Sequence, residues 1–568
     1  MRFAGGYRPL LWNLALRQGW RRVRRRLRAG PVYRWRYTGR TPERLLIAPP
    51  DLRLADPEIA RQIYHGRFLL AGHLVEAGGQ SPFHIEVHNR AWREALHGFR
   101  WLRHLNAAQS DLSAANARAL VTDWMALHGK RITGLAWHPA VTARRVIAWL
   151  QHSSVVLQGA DLAFYRQYLK MIAVQIRYLR SMAPEMQDGE EKLRARVALA
   201  FAALSLPTSV SALRNATRNL TEELDRQILP DGGHVSRNPR AVMELLADLL
   251  PLRQTYANQS EPPPEALVGA VERMLPALRF FRHRDGSIAR FNGMGVTIHD
   301  RVAAILRHDD TGGAPLSHAP HSGYERLAMG TTTVIADTAA PPPPELSNFA
   351  HAGCLSFELS SGRHQFIVNC GIDNYGDEAF RPLARATAAH STATLNDTSQ
   401  ARFALPAGWD DWVGTPLVGG PRNVACRRLD EAGMQGFVAG HDGYAARFGI
   451  VHERELVLSQ EGALLAGTDR FRGTGGSQAK CNVAVRFHIH PDVELYRDDD
   501  GLLILAGEGT DTWVFSCGAV EPAVEETIFF AAVAGPCRSR QIVLYFAAEE
   551  LAEVSWRLTR THGSAARP

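Results

Sequence analysis

The period of the hydrophobic pattern changes near residue 315, and this change restricts the chain to a fold with two unlike halves. Before that point, apolar residues recur every three or four positions, which places them on one face of a helix. One such stripe consists of Leu162, Tyr165, Leu169, Ile172, Ile176 and Leu179. After it, apolar and polar residues alternate, as expected of half-buried strands, and one run has Leu355, Phe357 and Leu359 on its apolar face. We therefore predict a helical domain followed by an antiparallel β-sandwich.

The length of 568 residues exceeds what one ordinary core holds, which agrees with this division. The Gly-rich stretch 311–315 is the predicted join. We expect an arginine-rich arm and lead-in segment at 1–80, a helical domain at 81–315 and a sandwich domain at 316–568. Apolar residues make up 45% of the chain, a globular value. No run of about 18 apolar residues occurs, so we expect no transmembrane segment.

The first 40 residues carry a large excess of positive charge. They contain twelve arginines, no lysine and no acidic residue. Without these twelve charges, the net charge of +8 becomes −4 for the remaining chain, which argues against a body built to bind nucleic acid. The arm could contact anionic lipid, another polyanion or an acidic partner, or remain a solvated basic segment. The aromatic residues among the arginines favour docking: Trp12, Trp20, Tyr33, Trp35 and Tyr37.

Two features bear on the compartment. A secretion signal places a short basic region before an apolar stretch. Here the apolar stretch Leu10–Leu16 is short, Asn13 interrupts it and the arginine cluster follows it, so we recognise no signal peptide. The protein would then stay in the cytoplasm, leave by another route, or have its true start elsewhere. The six cysteines form no C-x-x-C pair, so we expect buried free thiols rather than disulfides or a zinc finger.

Three segments of the second half resemble the C-terminal domain of the heparinase II/III family. They are HAGCLSFELSSG from His351, FIVNCG from Phe366 and TAAHSTATL from Thr387. The family pattern there runs His-x-Asp-x-Leu-Ser-Phe, then an apolar strand ending Asp-x-Gly, then Thr-x-x-His-Asn-Thr. In the helical half, Asp231–His234 resembles the family's Asp-Gly signature, and residues 144–149 resemble its Arg-x-x-x-Trp helix. The resemblance covers about residues 80–560.

The resemblance implies an incomplete (α/α) toroid joined to an antiparallel β-sandwich, with substrate in a cleft between them. It also implies β-elimination on a uronate-containing acidic polysaccharide in the cell envelope or periplasm. This reaction needs donors that neutralise the carboxylate as the enolate forms, a base for the adjacent proton and an acid for the leaving oxygen. In the family, Tyr and His are the usual base and acid, and Asn or His neutralises the carboxylate.

The resemblance and the local residue types together predict the site. The residues predicted to be catalytic are His351, His390, His234 and Tyr324. The residues predicted to bind substrate are Arg237, Asn238, Arg240, Trp137 and Tyr375. Arginine forks suit carboxylates and sulfates, and aromatic faces suit sugar rings. Structural alternatives stay open, because the histidines could bond the backbone, the arginines could form a solvated turn, and the tyrosine at 324 could be a sandwich-edge residue.

The sequence departs from the family pattern in the helical half. Glu190 and Glu191 stand where the resemblance places Asn and His, and two carboxylates would repel an anionic sugar. Ala241 and Val242 stand where it places a Tyr-His pair. These changes indicate a different substrate, a rearranged site or lost activity.

The metal expectation rests on the same resemblance. His351 and His390 match two ligands of the family's structural zinc, but Asn369 stands where an Asp ligand would be. Asn is a neutral and poorer ligand, so a zinc site is expected only in weakened form. No P-loop, dinucleotide-binding glycine motif or nucleophile elbow occurs, and nothing requires an organic cofactor.

Three functions stay open at this stage. The first is a lyase that cleaves an acidic polysaccharide with histidines from both domains. The second is a catalytically altered or inactive glycan-binding or envelope-assembly protein on the same scaffold. The third is a hydrolase, which would need paired carboxylates facing one cleft. The candidates for that pair are Glu190, Glu191 and Glu244.

Overall fold

The computed structural model describes residues 8–30, 35–309, 312–373, 378–404, 414–475, 480–507, 509 and 511–562. Within these ranges, helices dominate the first half and antiparallel strands the second, so the predicted fold class is confirmed. The helices are α1 (Arg8–Ala29), α2 (Pro57–Tyr64), α3 (Arg90–Gly98), α4 (Leu102–Ala108), α5 (Asp111–His128), α6 (Pro139–Gln151), α7 (Ser153–Leu157), α8 (Leu162–Met182), α9 (Glu190–Ser205), α10 (Val210–Gln227), α11 (Pro239–Asn258), α12 (Glu265–Phe280), α13 (His299–Leu306), α14 (Arg381–Arg385) and α15 (Ala445–Phe448).

Helix α9 lies at the centre of the helical domain. It packs against α6, α10 and α11, and almost every residue from Lys192 to Ser205 is buried. A helix that is apolar on all sides is typical of a core position. Its side chains are small at many positions, which allows several helices to approach it closely. The alanines concerned are Ala195, Ala198, Ala200, Ala202 and Ala203.

The strands pair in antiparallel order throughout the described ranges. A short hairpin in the lead-in segment joins β1 (Arg67–Leu70) to β2 (His73–Glu76). The sandwich contains β3 (His318–Ala319), β4 (Tyr324–Met329), β5 (Thr332–Asp337), β6 (Phe357–Ser361), β7 (His364–Val368), β8 (Ala393–Leu395), β9 (Arg402–Phe403), β10 (Leu417–Gly419), β11 (Val424–Arg428), β12 (Met434–His441), β13 (Ile450–Ser459), β14 (Leu464–Gly473), β15 (Asn482–Ile489), β16 (Glu494–Arg497), β17 (Leu503–Ala506), β18 (Asp511–Cys517), β19 (Ala523–Phe529), β20 (Cys537–Ala547) and β21 (Glu553–His562).

Two large sheets face each other in the sandwich. One has the order β11-β12-β13-β14-β21-β18-β17-β16, and the other has the order β19-β20-β15-β7-β6-β5-β4-β3, with β8 paired to β15. Their inner faces bury large aromatic side chains. Phe357 of one sheet stacks on Trp556 of the other, with ring centroids 5.6 Å apart, and Phe487 lies 4.7 Å from the same indole. These contacts join the two sheets into one core.

The first strands of the sandwich also complete the helical core. Ala319, Tyr324 and Ile335 belong to the same buried cluster as the helices. The domain boundary at residue 315 therefore stays a prediction, because the apolar core continues across it and does not mark where one domain ends. This continuous packing holds β3 to β5 against the helical domain.

Helix α1 forms the arginine-rich arm and lies on the helical domain. Arg28 and Arg24 pair with Glu185 at 2.9 and 3.1 Å, and Leu14 and Ala15 are buried. The opposite face of α1 exposes large apolar side chains at helical spacing. They are Trp12, Leu16, Trp20, Val23 and Leu27. None of the described helices has both the length and the apolar character needed to cross a membrane.

Candidate functional site

His351 and His390, which we call the His pair, lie at the meeting point of the two domains. The backbone N–H of Gly293 donates to Nε2 of His351 (3.1 Å), so the proton of that ring is assigned to Nδ1. Nδ1 donates in turn to Nε2 of His390 (2.9 Å), whose own Nδ1 donates to the carbonyl oxygen of Ala386 (2.8 Å). Every ring nitrogen of the His pair is therefore already hydrogen-bonded.

The His pair is also buried and neutral. Only 3% of His351 and 0% of His390 is exposed. Burial lowers the pKa of both rings, that of His390 to about 4. An acid or base needs a nitrogen that can reach substrate, and neither ring offers one in this arrangement. The catalytic role of these residues therefore stays a prediction, and in this arrangement both rings are links in a hydrogen-bond chain.

The same bonds exclude the His pair as zinc ligands in this arrangement, since no nitrogen lone pair is left for a metal. Asn369 is similarly occupied, because its Oδ1 accepts from the backbone N–H of Ser391 (3.0 Å). Within the described part of the chain, no group of three His, Cys, Asp or Glu side chains is arranged to hold a metal ion. The residues present do not fit the family's structural zinc.

Arg237 crosses from the helical domain into the sandwich. Its Nε donates to the carbonyl oxygen of Ser322 (2.7 Å), and Nη1 donates to those of Ala339 (3.1 Å) and Ala340 (2.7 Å). Nη2 donates to the carbonyl oxygen of residue 323 (2.9 Å) and to Oδ1 of Asp337 (2.5 Å). A guanidinium has five N–H groups, and all five are used here. Substrate binding by Arg237 stays a prediction, and in this structure the side chain is a buried connection between the domains.

Tyr324 lies against the side chain of Arg237 and is 0% exposed. Its hydroxyl donates to the carbonyl oxygen of Arg237 (2.5 Å) and accepts from Nδ2 of Asn292 (2.7 Å). Burial raises the pKa of Tyr324 above its ordinary value, whereas a phenol that serves as a base needs surroundings that favour phenolate. A catalytic role for Tyr324 stays a prediction that these surroundings do not favour.

His234 is the fourth residue predicted to be catalytic, and it is 1% exposed. Its Nδ1 accepts from the backbone N–H of Ser236 (3.1 Å), and its Nε2 donates to Oε1 of Gln227 (2.8 Å). Burial lowers its pKa to about 4. The ring fixes the loop before α11, and its role as an acid or base stays a prediction.

Asn292 joins three of the predicted residues into one set of contacts. Its Oδ1 accepts from the backbone N–H of His351 (3.2 Å), and its Nδ2 donates to Tyr324 and to Oδ2 of Asp337 (3.0 Å). We call Asn292, Asp337, Tyr324, His351 and Arg237 the junction network. Asn292 and Asp337 were absent from the sequence prediction, although the Asn-Gly dipeptide at 292–293 signals a turn.

The other predicted binding residues have mixed outcomes. Asn238 caps α11, since its Oδ1 accepts from the backbone N–H of Arg240 (2.9 Å), and both residues are partly exposed. Trp137 is 2% exposed and packs against Trp124, so its role as a sugar platform stays a prediction and its ring belongs to the helical core here. Tyr375 lies outside the described residues.

A second polar cluster, the charge network, ties α9 to neighbouring helices. Arg194 bonds Glu190 (2.5 Å), Glu191 (3.0 Å) and Asp248 (3.0 Å), and Arg144 pairs with Glu191. Burial disfavours the ionised carboxylate, but Arg144 and Arg194 outweigh it and lower the pKa of Glu191 to about 2. These carboxylates are therefore held by arginines within the protein.

Glu244 of α11 completes the charge network. It pairs with Arg100 (3.3 Å) and with Arg301. The surrounding arginines outweigh burial and hold the pKa of Glu244 well below its usual value. An inverting or retaining glycosidase needs one carboxyl group that stays protonated. Neither Glu191 nor Glu244 meets that need, so the geometry does not support a hydrolase built on them.

Comparison with known proteins identifies the family. Residues 311–557 match the domain described as "Heparinase II/III-like, C-terminal". Over 539 residues the chain is 32% identical to FtsZ-localized protein C of Caulobacter vibrioides (strain NA1000 / CB15N), which covers 92% of this chain and 91% of that protein. The chain belongs to the heparinase II/III-like family.

Solved structures of this heparinase-like fold extend over nearly the whole chain. A crystal structure of heparinase III has a TM-score of 0.71 at 14% identity and covers 94% of this chain and 89% of that one. Heparan sulfate lyase HepC from Pedobacter heparinus has a TM-score of 0.58 at 16% identity and covers 94% and 88%. The expected toroid followed by a β-sandwich is thus confirmed as a fold.

The residues that depart from the family pattern lie at the N-terminal ends of two toroid helices, α9 and α11. Glu190 and Glu191 begin α9, and Ala241 lies buried in the first turn of α11. The charge network therefore occupies the place where the resemblance puts the neutralising Asn and His, because Glu190 and Glu191 form internal ion pairs there. Ala241 is a buried apolar residue where the resemblance puts the Tyr.

Replacing Arg237 with Leu is expected to destabilise the protein by about 3–5 kcal/mol, because Asp337 would lose its buried counter-charge. Urea unfolding would measure the loss. Arg218→Leu, on a side chain that is 69% exposed, is the matched control and should change stability by less than about 1 kcal/mol. Adding Asp337→Asn to Arg237→Leu should recover part of the loss. Equal stability of Arg237→Leu and wild type would contradict the proposed connection.

The stability of the protein is expected to fall as the pH drops from about 6.5 to about 4. The pKa values of His390 and His234 are lowered from 6.5 to about 4 in the folded chain, so the unfolded state takes up protons first. Their contribution is complete above pH 6.5 and declines below it, by at most about 1.4 kcal/mol per pH unit for each ring. Unfolding measured at several pH values should show a shallower slope for His390→Gln than for wild type or the surface control His65→Gln. Identical slopes in all three would exclude His390 as a source of the effect.

Proposed function

We propose that this chain is a catalytically altered member of the heparinase II/III-like family that works as an assembly protein at the bacterial division site. The observation that carries the proposal is the closed hydrogen bonding of the His pair, whose ring nitrogens all have partners inside the protein. The name of the relative FtsZ-localized protein C supplies the cellular context. This favours the second of the functions left open by the sequence.

The chemistry of β-elimination supports the same proposal. The reaction needs a base, an acid and donors that neutralise the substrate carboxylate. Tyr324 and His234 are buried and hydrogen-bonded, and the resemblance places the family's Tyr where Ala241 stands. Glu191 would add a like charge beside the substrate. Among the described residues, the four side chains predicted to be catalytic are bonded within the protein, and the family's Tyr is replaced by Ala241.

A polysaccharide lyase remains the alternative, because the fold is that of heparinase III. An ultraviolet absorbance assay on a panel of uronate polymers separates the two, since elimination creates a conjugated uronate. We expect no increase in absorbance for wild type or His351→Ala, with heparinase III as the positive control. An increase for wild type that is lost in His351→Ala would overturn the proposal and establish a lyase. Binding of the same polymers, measured in parallel, would show whether the scaffold still holds a glycan.

Association with FtsZ is the second part of the proposal. We infer that this chain, like the relative named for it, localises with FtsZ. Sedimentation of purified FtsZ polymers should carry the full-length chain into the pellet, and unpolymerised FtsZ should not. Absence from the pellet, together with a diffuse distribution of a fluorescent fusion in cells, would contradict this part.

The arm suggests where the protein acts. The apolar residues on the outer face of α1 are spaced by three or four positions, and arginines flank them. Such a helix lies along the surface of an anionic membrane, with its apolar face in the interface. Leu14 and Ala15 on the other face are buried, and Arg24 and Arg28 pair with Glu185 of the toroid. All six cysteines are free thiols, although only Cys354, Cys370 and Cys481 are buried as expected, and free thiols favour a reducing compartment. We therefore place the protein on the cytoplasmic side of the membrane rather than in the periplasm.

Binding to lipid vesicles tests this placement. Wild type should float with vesicles that contain phosphatidylglycerol and less with neutral vesicles, because arginines contribute about 1 kcal/mol each near an anionic surface. Changing Leu16 and Trp20 to Ala, at side chains 67% and 58% exposed, should reduce binding about tenfold or more. Trp35→Ala, at a side chain 66% exposed outside α1, is the matched control. Equal binding by both variants would show that α1 does not contact the membrane.

A further inference from the structure

A cavity of about 800 Å³ lies where the end of the helical domain meets the sandwich. Arg282 and Arg284, which follow α12, form one wall. Residues 314–317 form the second wall, and Arg326 of β4 with Arg363 of the β6–β7 turn forms the third. A volume of this size is in the range of small-molecule sites.

The cavity is lined by positive charge. The side chains of Arg282, Arg284 and Arg363 are exposed, and 6% of Arg326 is exposed. Nη1 of Arg326 donates to the carbonyl oxygens of Phe280 (2.8 Å) and Arg282 (3.1 Å), which fixes it at the base of the wall. Among the described residues that line the cavity, none is acidic. Burial, and then the charge of Arg284, lowers the pKa of Arg326 to about 10.

The other residues that line the cavity indicate which class of ligand it suits. Ser317, Thr333 and Gln435 supply hydroxyl and amide groups. Oε1 of Gln435 accepts from the backbone N–H of Ala328 (2.8 Å), which orients its amide N–H groups as donors. The lining residues include no Phe, Tyr or Trp within the described ranges, so the cavity has no platform for a nucleobase. Polar donors beside arginines suit a ligand that carries hydroxyl groups and an anion.

The directions from which the arginine side chains enter the cavity favour a phosphate ligand over a carboxylate ligand. The guanidinium groups come from the helical domain, from β4 and from the β6–β7 turn. A carboxylate presents two oxygens in one plane, whereas a terminal phosphate presents three oxygens that donors can approach from several sides. The cavity also lies apart from the His pair, because Gly362 and Arg363 follow the end of β6 and His351 precedes its start.

We propose that this cavity binds a phosphorylated carbohydrate, with the phosphate held by Arg282, Arg284 and Arg363 and the sugar hydroxyls facing Ser317 and Gln435. The site is independent of the family's cleft and of the proposed membrane contact. It would tie the end of the toroid to the first strands of the sandwich when a ligand is bound.

Isothermal titration calorimetry of the full chain tests the site with glucose 1-phosphate, inorganic pyrophosphate and citrate as probes. We expect one molecule of either phosphate compound to bind per chain. Arg282→Gln and Arg363→Gln should each weaken binding about tenfold or more, because each removes a charge-assisted hydrogen bond. Arg218→Gln is the control on an exposed arginine of α10 and should bind as wild type does. Thermal unfolding without ligand checks that each variant is folded.

Three results would overturn the proposal. The first is an absence of heat for both phosphate compounds up to about 10 mM, which is weaker than the binding expected of several arginines. The second is equal binding by wild type and the two cavity variants. The third is citrate that binds as tightly as pyrophosphate, which would refute the assignment to phosphate. None of these depends on whether the protein cleaves a polysaccharide or localises with FtsZ.

Discussion

The buried guanidinium of Arg237 sets the arrangement of the two domains. A charge taken out of water is tolerated only where its hydrogen-bond donors and its charge are fully matched. Four carbonyl oxygens and Asp337, all in the sandwich, provide that match for a side chain of the helical domain. Because the loop before α11 and the ends of β4 and β5 are fixed in this way, Asn292, Tyr324 and His351 take their partners from both domains.

This arrangement is the physical basis for our proposal that the chain keeps the family's residues without the family's chemistry. A lyase keeps its acid, its base and its neutralising donors available before the substrate arrives. Here the corresponding polar groups bond one another. The chain His351–His390–Ala386 ends on a backbone carbonyl, and the phenol of Tyr324 bonds the backbone of Arg237. The motif histidines thus stabilise the junction between toroid and sandwich. This structural role requires the same residue types at the same positions.

The sequence predicts the fold, but it does not predict the roles of the site residues. The period change near residue 315 predicts helices and then strands, because periodicity records which side of each element faces a core. The motif around His351 predicts which segments meet. Ring tautomers and guanidinium partners depend on atoms far along the chain. Arg237 bonds Ala340, which is 103 residues away, through a backbone oxygen that any residue type would supply. Side-chain chemistry gives no signal for such a partner.

In the charge network, arginines that could bind an anion are paired with carboxylates of the same chain. Arg100, Arg144 and Arg301 are 20–28% exposed, and in a cleft they could bind a uronate. Glu191 and Glu244 instead supply the carboxylates, so an incoming anion would have to displace an internal one. Displacement would leave a buried carboxylate without its partner, which is costly. At the other end of β6, arginines line a cavity with no carboxylate among its described residues. This difference in available carboxylates is the reason why we assign the binding of an external anion to that cavity and not to the charge network.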